Sequence, residues 1–584
     1  MFKNRGVEMV DFDKLIPYPY KVVDNCLCMA YMKSGEEEFK KLCNFVPYIT
    51  SDVAIDTGNE IERKIRLKGV HQNGDQLREI DIMASELTST AMSWIVEKWG
   101  AKCNIEARNI KDNIRHAIQC TAEFASSTNI FQQFGWKKID EEWQFLIKGN
   151  EIETCATGKL ANYYLSDADR DTSLKIIFLL LKSQVVSKNI IYPLMALVFL
   201  SPLNSFLKMV GYEPKFVMCL IGKTGTKKST VSALILSFFG DFSNTDLPFS
   251  FRDTENSILS SAFLLKDVLA VIDDFHPSSN GDGRKMNNTA QTIMRGYGDR
   301  VGRGRLNSDS SPMSKRYPTG NVIITGEQAP DVTQSGLARC LILEIEKDEV
   351  DLEELTYFQK MAKDGLFSSA MKHYITFIKE CCLAHDEQAF LDKLTNLFSK
   401  YRNEFADKLR NERIEYHDRL PEMGSWLMIG LLFTLKLLKI HNTITEHEYD
   451  TERVQAFDVF YQVIKSQAKT VQEDKPSEIF VSKLCALLES GRAVTLDKSS
   501  EFNIKPNEFI GYHDEDYYYL ISDIAYGMVQ ALSREQGVVF PIAIKTLLKH
   551  LADDGYIVKT SNGGNTHVLR ANGDLVRVVK MIKQ

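Results

Sequence analysis

Several features that mark common functional classes are missing from this chain. Its first residues, MFKNRGVEMVDFDKLIPYPY, contain no apolar h-region, so no secretory signal is expected. Apolar runs are short: in the richest stretch, residues 174–201, Lys182 and Lys188 interrupt before the ~18–20 residues that span a bilayer are reached. Two buried core helices are expected there, and no membrane association. The eleven cysteines are scattered. Cys26 and Cys28 form a CxC and Cys381 and Cys382 are adjacent, but no CxxC pair recurs at zinc spacing, so reduced thiols in a cytoplasmic protein are expected. Net positive charge is also lacking: the formal charge is −7, and any nucleic-acid binding must rest on local basic patches. No repeat or low-complexity tract stands out, and no Ser-His-Asp or Cys-His nucleophile set can be argued from spacing.

What remains is an ordinary globular composition, 44% hydrophobic and 26% charged over 584 residues. At ~100–200 residues per domain, three to five domains are expected. The division that best follows the pattern is an N-terminal accessory α/β domain over 1–160, a helical linker over 161–205 and an α/β core over 206–350. Helices over 351–475 and a C-terminal domain over 476–584 complete it.

The sharpest local signal lies in the core. Residues 216–221, FVMCLI, read as a buried strand. Gly222, Lys223, Thr224, Gly225, Thr226, Lys227, Lys228, Ser229 and Thr230 follow, and then the helical pattern VSALILSFFG. Strand, glycine loop and helix start form the context in which backbone N–H groups and a helix dipole cradle phosphates. Gly222, Thr224, Gly225, Thr226, Lys227 and Thr230 supply the loop. Lys228 reaches the β- and γ-phosphates of ATP, and the Ser229 hydroxyl binds Mg²⁺. One departure stands out. Lys227 occupies the place before the lysine where glycine is standard, and its Cβ restricts the loop.

Residues 268–272, VLAVI, read as a second buried strand and end in Asp273-Asp274. Asp273 suits the metal and Asp274 the attacking water, since phosphoryl transfer needs one carboxylate on each side. The third strand, NVIIT (321–325), ends on Thr325, a candidate γ-phosphate sensor. Arg339 directly precedes the strand-like run CLILEIE. It reads either as an arginine finger reaching a neighbouring subunit or as a surface salt-bridge residue.

Together, FVMCLIGKTGTKKST, VLAVIDDF, NVIITGE and SGLARCLILEIE resemble an AAA+ ATPase. More closely, they resemble the MCM-like helicases of staphylococcal cassette-chromosome elements and related phage and mobile-element proteins. NIFQQFGWKKIDEEWQFLIKGNEIE (129–153) is similar to that family's glycine-tryptophan segment, and the likeness covers roughly 105–440. It implies an AAA+ P-loop core with a helical lid. It also implies a homo-oligomeric ring, most simply a hexamer, that moves along single-stranded or forked DNA with 3′-to-5′ travel and works with replication proteins. HDRLPEMGSWLMIGLLFTLKLL (417–438) resembles the helix that opens with a sensor-2 arginine, here Arg419.

Residues 283–316 carry eight basic residues against Asp299 and Asp309. They read as a projecting hairpin or loop whose Arg300, Arg303, Arg305, Lys315 and Arg316 grip DNA phosphates without reading sequence. A solvated loop has the same composition. The last domain reads as a winged helix, with a helix over 541–553 and a wing turn at Asn562-Gly563-Gly564-Asn565. Lys559 and Arg570 are its candidate DNA contacts. Three functions share the 222–229 cradle: a DNA helicase replicating a mobile element, an AAA+ ATPase that remodels or loads a protein, and a non-catalytic nucleotide-dependent initiator.

Overall fold

The computed structural model describes residues 11–106, 110–277, 281–302, 316–330, 336, 338–473, 475–499, 506–536, 540, 542–571 and 573–583. The chain divides into two units, one drawn from Met1–Ala161 and Arg305–Arg316, the other from Asn162–Gly304 and Tyr317–Gln584.

In the first unit, β1 (Tyr20–Val23), β2 (Cys26–Lys33) and β3 (Glu36–Cys43) form an antiparallel meander. A four-stranded sheet follows, ordered β6-β5-β4-β7. Its strands are β4 (Phe45–Asp56), β5 (Ile61–His71), β6 (Gln76–Met83) and β7 (Ser126–Phe131). The period-two pattern of IERKIRLK thus becomes the start of β5. The helical pattern over 84–99 splits into Ala84–Thr88 and Trp94–Trp99, with Met92 between them at φ 50°. The glycine-tryptophan segment folds as a hairpin of β8 (Gly135–Ile139) and β9 (Glu142–Leu146). Asp140 and Glu141 turn it with positive φ, the twist that a two-residue hairpin favours. Phe45, Val46, Leu67, Ile82, Trp94 and Ile114 anchor this unit's core.

The second unit is organised by a five-stranded parallel sheet ordered β11-β12-β13-β10-β14. Its strands are β10 (Val217–Ile221), β11 (Phe249–Ser250), β12 (Leu269–Phe275), β13 (Asn321–Gly326) and β14 (Cys340–Glu344). Parallel strands are covered on both faces and so read as unbroken apolar runs, and every residue of β13 is buried. The apolar stretch 174–201 forms two helices, Arg170–Lys182 and Lys188–Leu200. Helical structure continues from Lys188 to Met209, which with Arg419–Ile440 is long and apolar enough to cross a membrane. Their most apolar windows are nevertheless 94% and 83% buried within the protein. Gly430 lets the second lie against the first, since a Cβ there would fall 2.2 Å from the Ala196 carbonyl oxygen.

Residues 352–473 are mainly helical, with helices Leu352–Lys363, Leu366–Phe377, Ala384–Asn411, Arg419–Ile440 and Glu446–Glu473. A buried carboxylate, Glu452, ties this region to the preceding helices by accepting from Lys182 Nζ at 2.6 Å and from the Tyr192 hydroxyl. The C-terminal part holds helices Pro476–Glu489, Ser522–Glu535 and Ile544–Asp553 beside a sheet ordered β15-β16-β17-β19-β18. Those strands are β15 (Val494–Asp497), β16 (Phe509–His513), β17 (Tyr517–Leu520), β18 (His567–Ala571) and β19 (Asp574–Ile582). The expected wing turn is misplaced by the sequence reading. The antiparallel hairpin is β18 with β19, turning between Ala571 and Asp574. The 562–565 segment instead forms a separate turn before β18, closed by Thr560 N–H donating to the Gly564 carbonyl. Two Asn-Gly pairs compete in this stretch, and strand pairing decides between them.

Candidate active site

The cradle is built by the abrupt change from strand to helix. β10 ends at Ile221, and the helix Lys228–Leu236 begins seven residues later. Gly222 must be glycine, because a Cβ would sit 2.4 Å from the Ile345 carbonyl oxygen and 2.9 Å from Thr226 Oγ1. Lys227, where glycine is standard, is left-handed at φ 64°, ψ 19°, a conformation costing a side-chain-bearing residue about 1–2 kcal/mol. Its side chain is exposed. Lys228 Nζ donates to the Gly222 and Lys223 carbonyls at 2.7 and 2.9 Å. Burial pushes its pKa down, partly countered by Glu327, Asp273 and Asp274. The Thr226 hydroxyl closes the loop on the Lys223 carbonyl at 2.9 Å.

The carboxylates come from the far side of β13. Because β13 lies between β10 and β12, Thr325 stands between the loop and the aspartates. Ser229 Oγ donates to Asp273 Oδ1 at 2.7 Å, and the Thr325 hydroxyl donates to the same oxygen. Thr325 also accepts the Asp274 N–H at 3.3 Å. The β12–β13 register shifts between Ile272 and Phe275, a bulge that re-aims the two aspartates, and Asp274 is left-handed at φ 71°. Its carboxylate meets His276 Nδ1 at 2.8 Å and Arg252 Nη2 at 3.2 Å. Arg252 is largely exposed, so that ion pair contributes little.

Glu327 was not assigned a role from the sequence. Its carboxylate takes the Thr224 hydroxyl, which places a third acid on the loop. The signal available was its position two residues beyond Thr325 on a strand aimed at the cradle. Arg252 carried no signal.

Arg339 and Arg419 are brought together, but away from this cradle. In a parallel sheet all strands point one way, and Arg339 precedes β14 while Gly222 follows β10. The Arg339 carbonyl accepts the Val217 N–H, at the opposite end of β10 from the loop. There Arg339 Nε and Arg419 Nη2 both donate to Asp299 Oδ1, at 2.7 and 3.0 Å.

Arg300 corrects the sequence reading. It was assigned to the DNA-gripping set, but it is 7% exposed. Its Nε donates to the Pro214 carbonyl at 2.8 Å, and Nη1 donates to Pro318 and Gly320 at 2.7 and 2.8 Å. A buried guanidinium whose Nε and Nη1 donate to three backbone carbonyls, with Nη2 left unpartnered, is a structural tie. Arg303, Arg305 and Lys315 lie outside the described residues. Arg316 and Arg570 are exposed, and Lys559 pairs with Asp553 at 3.1 Å.

Neither a protein-family model nor a curated protein matches this chain. Among solved structures, the active helicase SCCmec type IV Cch aligns over 97% of this chain and 97% of its own, with TM-score 0.60 and 15% identity. This chain has the fold of that helicase. The apo A form of the NrS-1 C-terminal region and the JCV helicase align over 64% and 60% of this chain and 86% and 80% of theirs. Their identities are 13% and 12%, and their TM-scores, 0.22 and 0.20, are too low to carry an argument.

Proposed function

We propose that this chain is an ATP-hydrolysing DNA helicase and translocase that works as a homo-oligomeric ring in replication of a mobile element. The 206–350 region is its AAA+ core, 351–475 its lid, 476–584 a winged helix and 1–160 an accessory domain. The observation that carries the reading is the Ser229–Asp273 bond at 2.7 Å, made across a sheet in which a sensor strand separates loop from carboxylates. The fold shared with an active helicase supports it.

Each residue has a physical task. Lys228 rests on two loop carbonyls and exchanges them for β- and γ-phosphate oxygens. Those are charged acceptors and therefore stronger partners for a partly desolvated ammonium. Ser229 and Asp273 offer the hard oxygen donors that Mg²⁺ prefers, and one or two protein ligands suffice because the ion keeps waters and takes phosphate oxygens. When bound, the ion neutralises charge on the phosphates. Asp274, held by His276 and Arg252, orients and polarises the attacking water. Thr325 links the two aspartates, so a γ-phosphate that competes for its hydroxyl is felt by both.

Arg339 and Arg419 sit at the end of the strands opposite their own cradle, so they can reach a cradle only in a second copy. Half-sites at opposite ends of one sheet pack head to tail, and head-to-tail packing closes into a ring when the rotation between copies closes; the family resemblance suggests six members. An arginine finger supplied this way accelerates hydrolysis by about 10³–10⁵. Arg303, Arg305, Lys315 and Arg316 with Lys559 and Arg570 remain the proposed DNA contacts, acting through phosphates. The test is strand separation on 3′- and 5′-tailed duplexes. The wild type unwinds one polarity with ATP, and Lys228→Ala unwinds neither. A wild type that hydrolyses ATP indifferently to DNA would instead favour a protein-remodelling role.

A further inference from the structure

The helix Gly281–Asp299 starts just beyond the β12 aspartates and ends at the opposite end of the sheet. Nineteen helical residues at ~1.5 Å each carry the chain about 28 Å. Its last residues, Gly298 and Asp299, with Arg300 just beyond, make a seat for two arginines. An added Cβ on Gly298 would lie 2.9 Å from both Cβ and Cδ of Arg339, so the arginine stem lies flat against bare backbone. The Gly298 carbonyl accepts from Arg419 Nη1 at 3.0 Å. Asp299 Oδ1 accepts from both guanidiniums. Arg300 then pins the seat to Pro214, just before β10, and to Pro318 and Gly320, just before β13. The seat is thus fixed to the sheet by buried hydrogen bonds.

Asp299 Oδ1 serves both guanidiniums at once, and the side chains of the three residues are 18–28% exposed. A cluster locked in place and open at its edge is suited to receive an anion presented by another surface. Fixing it beforehand removes the rotamer entropy that two free arginines would lose on engaging that anion.

We infer that Asp299 is a positioning residue that holds Arg339 and Arg419 as one preformed pair for the nucleotide phosphates of a neighbouring copy. This rests on the proposed ATPase reading. It adds that Asp299 acts in trans, on the cradle of the next copy and not on its own.

The test combines Asp299→Asn, nearly isosteric but uncharged, with subunit mixing. Asp299→Asn keeps affinity for a fluorescent ATP analogue within about twofold, since the cradle is at the other end of the sheet. Misplaced arginines cost ~10²-fold in kcat. Mixed in equal amounts with Lys228→Ala, itself inactive, it regains about a quarter of wild-type turnover, the share of random head-to-tail interfaces that join an intact cradle to an intact seat. Mixing Asp299→Asn with Arg339→Ala regains nothing, because both are damaged in the same half-site. Asp299→Glu recovers part of the loss. The inference is overturned if Asp299→Asn turns over like the wild type. It is equally overturned if that variant is inactive and unrescued by Lys228→Ala while Arg339→Ala is rescued. A wild type without ATP turnover sinks the ATPase reading itself, a result distinct from either.

Discussion

Arg300→Ala separates two accounts of the basic segment. If Arg300 gripped DNA, its loss would weaken binding and leave the fold alone. The structure places it among carbonyl groups, with three hydrogen bonds of 2.7–2.8 Å and Glu213 at 3.7 Å. Hydrogen bonds from a charged donor contribute ~1.5–3 kcal/mol each, but the guanidinium's desolvation cost is recovered when it is removed. Burial pushes its pKa down, against the opposing pull of Glu213. Breaking a buried, partnered charge nets ~3–5 kcal/mol of destabilisation. At ~2–4 °C per kcal/mol for a domain of this size, the first thermal transition should fall by roughly 6–20 °C. Calorimetry measures that, and titration of labelled single-stranded DNA at several salt concentrations measures the other account. A lost phosphate contact flattens the salt dependence by a slope of ~0.7. An Arg300→Ala protein with unchanged thermal unfolding and a flattened salt slope would refute the structural role.

Three other outcomes are expected. Gly222→Ala drives a methyl into the Ile345 carbonyl at 2.4 Å, so nucleotide affinity falls at least tenfold by equilibrium titration while stability falls by about 1–3 kcal/mol. Thr325→Val keeps the shape but removes the hydroxyl shared by Asp273 and the Asp274 N–H. It lowers kcat by ~10-fold or more, for a loss of ~1.5–3 kcal/mol, with nucleotide affinity nearly unchanged. Lys393 is held at about 8, below its ordinary 10.5, first by burial and then by the neighbouring Lys436 ammonium. Its folded pKa is the lower one, so between about pH 8 and 10.5 the unfolded chain holds more protons and stability rises with pH. Lys393→Met should raise the denaturation midpoint at pH 7 and flatten that rise; an unchanged pH slope would count against the assignment.

What could be read from the sequence was what is local. A buried strand, a tight loop and a helix start are contiguous, and their signals lie within about fifteen residues of one another. The strand before Gly222, the helix from Lys228 and the strands that carry Asp273 and Thr325 were therefore legible, as was the restriction that a Cβ at Lys227 puts on the loop. The wing turn was not, because two Asn-Gly pairs within a dozen residues are equivalent until strand pairing chooses one. Glu327 was passed over because a glutamate after a strand has no meaning until the neighbouring loop is known.

Tertiary structure alone decided the fate of the charges. Arg300, Arg303 and Arg305 look alike in a glycine-rich basic run, yet the closing of the sheet buries Arg300 under carbonyls from residues 214, 318 and 320. Arg339 and Arg419, eighty residues apart, meet at Asp299 because β14 and the helix Arg419–Ile440 start where the helix Gly281–Asp299 ends. Local preference is written residue by residue, so a chain carries it openly. Burial and pairing of a charge depend on which distant segments arrive around it, and only folding brings those segments together.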